Sequence, residues 1–81
     1  MAYDYTVYTA PNCTQCMLTK RLLTQHQQSF EEIALDENPD VRDQLIAQGF
    51  KAAPVVVHRP TGQTWSGFRP DLIDLTRKKT A

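Results

Sequence analysis

Tyr5-Thr6-Val7-Tyr8-Thr9-Ala10-Pro11-Asn12-Cys13-Thr14-Gln15-Cys16 decides how this chain is read. Tyr5 to Thr9 alternates as a strand does, with Tyr5 and Val7 on one face and Thr6 and Tyr8 on the other. Pro11-Asn12 breaks the strand, and Asn12 is the expected N-cap of a helix running to about His26. Leu18 and Leu22, four apart, share a face of that helix. The two cysteines therefore fall where a strand hands over to a helix. Thiolate is favoured there by unpaired backbone N–H groups and the positive end of the helix dipole, and thiolate is the attacking species. Three residues apart, Cys13 and Cys16 lie on one helix face, close enough for a bond that forms and breaks without refolding the domain.

Outward from the motif, Gln27-Gln28-Ser29 is a polar connection and Phe30 to Leu35 a second strand. Asn38-Pro39-Asp40 starts a second helix, with Val41 and Leu45 on one face and Gly49 as its stop. Pro54 to Val57 is wholly apolar and reads as a buried strand. Arg59 to Gln63 is turn chemistry, so Thr64-Trp65-Ser66 returns as a hairpin. Pro70 opens a last helix with Leu72, Ile73 and Leu75, ending in Arg77-Lys78-Lys79, cations that suit the negative end of a helix. The order β-α-β-α-β-β-α predicts an α/β fold. A right-handed crossover makes the first two strands parallel, and the hairpin completes a four-stranded mixed sheet flanked by three helices.

The 81 residues are expected to form one domain, 1–81. Hydrophobic residues are 41% and charged residues 22%, values of a compact folded chain rather than a disordered one. Nine Lys and Arg balance nine Asp and Glu, which gives no reason to expect a nucleic-acid or anionic-membrane partner. Met1-Ala2-Tyr3-Asp4 has no basic stretch leading into an apolar segment, and Val55-Val56-Val57 is far too short to span a bilayer. A cytoplasmic location is the expectation. In a reducing cytosol paired cysteines are more often catalytic or metal-binding than structural.

Three duller readings of the pair compete with redox chemistry. A structural disulfide closing so small a ring removes little chain entropy, roughly 2 kcal/mol. Zinc wants about four ligands, and His26 and His58, the only histidines, miss the usual His spacing. The third reading is two inert buried thiols. The C-x-x-C inside a βαβ pattern favours redox chemistry over all three. Lys20 shares the cysteines' helix face, where it is either near the thiols or simply solvated; neither histidine is placed as a general base. Pro54 reads either as a proline tolerated at a strand start or as a cis peptide beside the cysteines. Tyr8, Trp65 and Phe68 are candidates for the core or for the edge of a docking surface, with Gly67 marking special backbone geometry.

Taken with Tyr8-Thr9, Cys13 to Cys16, Thr19-Lys20-Arg21, Gln48-Gly49-Phe50 and Pro54-Val55-Val56, the segment Trp65-Ser66-Gly67-Phe68-Arg69-Pro70-Asp71 gives a chain that resembles the NrdH-redoxins over nearly its whole length. The resemblance implies a glutaredoxin-sized thioredoxin-like fold and a dithiol–disulfide oxidoreductase. Members of that family take electrons from thioredoxin reductase and pass them to the class Ib ribonucleotide reductase, whose large subunit is then the client. No bound cofactor is implied: NADPH and flavin act through the reductase. Carried over, Cys13 is the nucleophile, Cys16 the resolving thiol and Pro54 a cis-proline facing them. Thr14, Gln15, Ala53, Pro54, Trp65, Ser66, Gly67, Phe68 and Arg69 shape the partner surface. Where glutaredoxins of this size hold glutathione with a Gly-Gly and an acidic pair, this chain has Ser66-Gly67-Phe68-Arg69, which argues against glutathione. Thr14 stands where Val is common in the family. The alternatives are a glutathione-fed glutaredoxin, a redox-switched binding module in the manner of arsenate-reductase-like regulators of RNA polymerase, and a small zinc-binding domain. A monomer is the default.

Overall fold

Strand β1, Tyr5–Thr9, is the hub of the structure, a computed structural model that describes residues 3–50 and 52–77. It is followed by helix α1, Thr14–Gln25, strand β2, Phe30–Ala34, and a 3-10 turn at Leu35–Glu37. Helix α2, Pro39–Ala47, strands β3, Val55–His58, and β4, Gln63–Ser66, and helix α3, Pro70–Thr76, complete the order. The sheet runs β2-β1-β3-β4, with β1 parallel to β2 and antiparallel to β3, and β3 antiparallel to β4. This is the thioredoxin-like arrangement expected from the sequence. Element ends differ by a residue: Leu35 leaves β2 for the 3-10 turn, Pro54 precedes β3, and Gln63 rather than Thr64 opens β4.

Alternation along β1 divides the core in two, as read from the sequence. Tyr5 and Val7 face α1 and α3, where they pack with Leu23, Val56, Trp65 and Ile73. Tyr8 faces the other way, toward Val41, Leu45, Phe50 and Val55 under α2. Register makes these layers continuous: Val7 pairs with Val56, and Val56 with Trp65. The buried stripe of α1 is Cys16, Thr19 and Leu23, with Leu22 half-buried; Leu18, expected on that face, lies at the surface. Ile73 is the buried residue of α3, Leu72 packs beside it, and Leu75 is 78% exposed because a seven-residue helix turns only one narrow face to the sheet.

Helix ends account for the turns between layers. After α2, Gly49 sits at φ +99°, where its N–H reaches Ile46 O and Phe50 N–H reaches Leu45 O at 2.9 Å. That is a Schellman stop at the residue predicted to be one. The same pair of bonds ends α1, from Gln27 N–H to Thr24 O and from Gln28 N–H to Leu23 O, but there Gln27 itself takes φ +56°. Asn38 does occupy the cap position of α2, yet its side chain donates back to Ala34 O at 2.8 Å instead of capping. Arg77, after α3, is bonded to Asp74 at 2.8 Å; Lys78 and Lys79 lie outside the described residues.

Candidate active site

The strand-to-helix turn after β1 builds the site. Asn12 is not the cap of α1: its backbone is left-handed, φ +56°, and that turn moves the cap one residue on. Cys13 takes the extended cap conformation, φ −105° and ψ 102°, and its Sγ accepts the Cys16 N–H at 3.1 Å. Its carbonyl receives the first helical bond, from Met17 N–H. The sulfur thus does the work of a capping hydroxyl. No acidic residue lies in the first turn of α1, so nothing there offsets the positive helix end. On reduction, a Cys13 thiolate meets the same N–H and the same dipole, both of which favour the charged form.

Cys13 and Cys16 form a disulfide with Cα atoms 5.2 Å apart. The two sulfurs differ in access. Cys13 is half-buried, whereas Cys16, on the buried stripe, is only 3% exposed. A disulfide target can reach the first and not the second. Thr14, between them, is exposed.

Gln15 ties this turn to the segment after β4. Its Oε1 accepts the Phe68 N–H at 3.0 Å, and its carbonyl accepts the Thr19 hydroxyl at 2.8 Å. Gly67, at φ +86°, lies so close that a Cβ there would sit 3.4 Å from Gln15 Oε1. Its N–H donates to Pro54 O at 2.8 Å. The Ala53-Pro54 peptide is cis, and Pro54 is fully buried. Gln15, Gly67-Phe68 and cis-Pro54 are therefore linked into one frame. Ser66 and Arg69 are exposed and Phe68 half-buried. Arg69 binds Asp71 through both Nε and Nη2, at 3.2 and 3.0 Å. That bond raises the guanidinium above its usual range and lowers the Asp71 carboxyl.

Trp65 is a correction. Expected on the partner surface, it is 5% exposed and belongs to the core, because its register opposite Val56 turns the ring under α1 and α3. It supports the segment from beneath, with its Nε1 buried and unpartnered.

Lys20 is held by Glu32 of β2, at 3.1 Å to both carboxylate oxygens, and Thr9 donates to the same carboxylate at 3.0 Å. Sequence reasoning missed Thr9 and Glu32. Glu32 is 12 residues from Lys20, and only the β1/β2 register, Val7 opposite Glu32, brings it under α1. His58 Nδ1 lies 2.7 Å from Thr61 Oγ1, and its ring tilts against Tyr5. On the α2 side an apolar groove of about 250 Å³ runs from Ala10-Pro11 to Ala52-Ala53, alongside Leu35 and Phe50.

The glutaredoxin family profile matches residues 5–60 of the chain. The glutaredoxin-like protein NrdH of Salmonella typhimurium is 46% identical over 69 residues, 85% of this chain and 83% of that one. Its counterpart in Lactococcus lactis subsp. lactis is 43% identical over 65 residues, 80% of this chain and 88% of that one. Among solved structures, the Escherichia coli NrdH-redoxin, a glutaredoxin-like protein with a thioredoxin-like activity profile, superposes with a TM-score of 0.86 at 39% identity. That match covers 94% of this chain and 97% of the other.

Proposed function

The chain belongs to the glutaredoxin family and, within it, to the NrdH glutaredoxin-like thiol–disulfide oxidoreductases, and from that premise we propose that it carries electrons from an NADPH-dependent thioredoxin reductase to the large subunit of a class Ib ribonucleotide reductase. The observation that carries the redox chemistry is the asymmetry of the pair: Cys13 accessible and capped by the Cys16 N–H, Cys16 buried behind it.

The cycle starts with the Cys13 thiolate attacking one sulfur of the target disulfide. A Cys13–target bond forms, and the other target sulfur leaves as thiolate and takes up a proton. Cys16 loses its proton and attacks Cys13 Sγ, closing the pair and releasing the second target thiol. Two electrons have passed to the target. The reductase returns the pair to the dithiol, and NADPH and flavin act only in that partner. The apolar groove from Ala10-Pro11 to Ala52-Ala53, which reaches the turn that leads into Cys13, suits an extended client segment. The choice of thioredoxin reductase over glutathione is supported by the frame around Gln15. Its bonds hold Gly67-Phe68 against α1, and Arg69 is already engaged by Asp71. The thioredoxin-like activity profile of the Escherichia coli relative points the same way. The protein works as a monomer in the cytoplasm, without nucleic acid or membrane.

The test is NADPH oxidation with thioredoxin reductase, this protein and a disulfide substrate, run beside an assay coupled through glutathione and glutathione reductase. Turnover with thioredoxin reductase alone is the expected result. Turnover with glutathione alone makes the protein a glutathione-fed glutaredoxin and overturns the reading of the 65–71 segment.

A further inference from the structure

The resolving step makes a demand that the disulfide geometry alone does not meet. Cys16 must become a thiolate, yet it is 3% exposed, and burial disfavours the charged form. Lys20 is four residues further along α1, so its side chain leaves the helix over the same face as Cys16. It is not free to wander: Glu32 grips the ammonium with both oxygens, and Thr9, itself buried, grips Glu32. Three elements thus hold one half-exposed cation at the edge of the buried stripe that carries Cys16.

Other charges are directed elsewhere. On β2, Glu31 alternates to the opposite face and lies 3.8 Å from Arg59. On α3, Asp71 is bonded to Arg69 and Asp74 to Arg77. On β1 the neighbours are Val7 and Thr9, and the Tyr5 hydroxyl is bonded to Thr76. On α1 itself Arg21 is exposed.

We propose that Lys20 is the electrostatic partner of the Cys16 thiolate and that Glu32, with Thr9, is the positioning residue that holds Lys20 in place. The inference rests on Cys16 being the resolving thiol. In that step the Cys16 Sγ–H proton passes to solvent and the thiolate electron pair forms the bond to Cys13 Sγ. The bond between Cys13 and the target breaks, and its pair leaves with the target sulfur, which is then protonated. The Lys20 charge favours the first of these events. The Glu32 charge offsets part of it, which is the cost of holding the lysine still.

The test is the titration of Cys16 in Cys13→Ser protein, followed by thiolate absorbance and alkylation rate against pH. Serine is itself a good N-cap, so α1 keeps its start. Lys20→Met should raise the Cys16 titration by roughly half a unit, the modest effect of one half-exposed charge. Lys20→Arg should restore it, which a packing role alone would not predict. Glu32→Gln keeps an oxygen for Lys20 and should lower the titration. In protein with both cysteines, the alkaline shift of Lys20→Met should reappear in the pH profile of target release. An unmoved titration in Lys20→Met, no rescue by Lys20→Arg, or a rise in Glu32→Gln overturns the proposal. Because the titration needs neither reductase nor client, its failure leaves the electron-carrier reading standing. Failure of Cys16→Ser to trap a mixed disulfide would instead remove that reading.

Discussion

At the scale of single residues, the site rests on a cysteine acting as a helix cap. Cys13→Ser should abolish disulfide reduction in the coupled assay. It should cost less than about 1 kcal/mol of stability, since a serine hydroxyl accepts the same Cys16 N–H. Gln15→Ala removes the acceptor for Phe68 N–H. A drop of about 1 kcal/mol in chemical denaturation and faster hydrogen exchange at the Phe68 amide are expected. Unchanged exchange there would mean that the Gln15 bond does not hold the loop. The pair was legible from its spacing together with its place at a strand–helix boundary, the context that makes a C-x-x-C informative. Its cap was not. Asn12 has the better capping side chain, but the turn from β1 needs a left-handed residue, and asparagine tolerates that conformation. Glu32 was illegible for a different reason: no local signal links residues that meet only through strand register.

At the scale of elements, most of the fold was written in periodicity and punctuation. The two faces of β1, the Pro39 and Pro70 starts and the Gly49 stop all appear where the sequence places them. Boundaries slipped by one residue where apolar runs continue past the last ladder bond, as at Leu35. The end of α1 had no glycine to announce it. Gln27 takes the left-handed position that Gly49 fills after α2. Gln27→Gly should therefore stabilise the protein by about 0.5–1 kcal/mol, read as a raised midpoint in urea. A lowered midpoint would mean that the Gln27 side chain contributes more than its backbone costs. The fate of Trp65 also belongs to this scale. Its neighbours Ser66, Gly67 and Phe68 suggest a surface loop, but strand alternation in β4 points the ring inward.

At the scale of the whole molecule, a sheet with two thin core layers leaves little stability to spare. Trp65→Ala should cost about 3–5 kcal/mol and leave the chain largely unfolded, seen as loss of a cooperative thermal transition. Tyr5 joins the sheet to the end of α3 through Thr76, and burial, the largest cause, raises its phenol above the ordinary value near 10. The unfolded phenol ionises first as pH rises, so this contribution is complete below pH 10 and is lost as pH climbs through the folded value. Stability measured against pH should fall on the alkaline side, and Tyr5→Phe should flatten that limb. The electron-carrier account as a whole depends on Cys13 making the first bond and Cys16 breaking it. Its most direct test is mass spectrometry of Cys16→Ser protein incubated with a disulfide-bonded client, without added reductant. A stable one-to-one adduct linked through Cys13 is the predicted result. Free client thiols with no adduct, or an adduct that resolves at the wild-type rate, would contradict the two-thiol cycle.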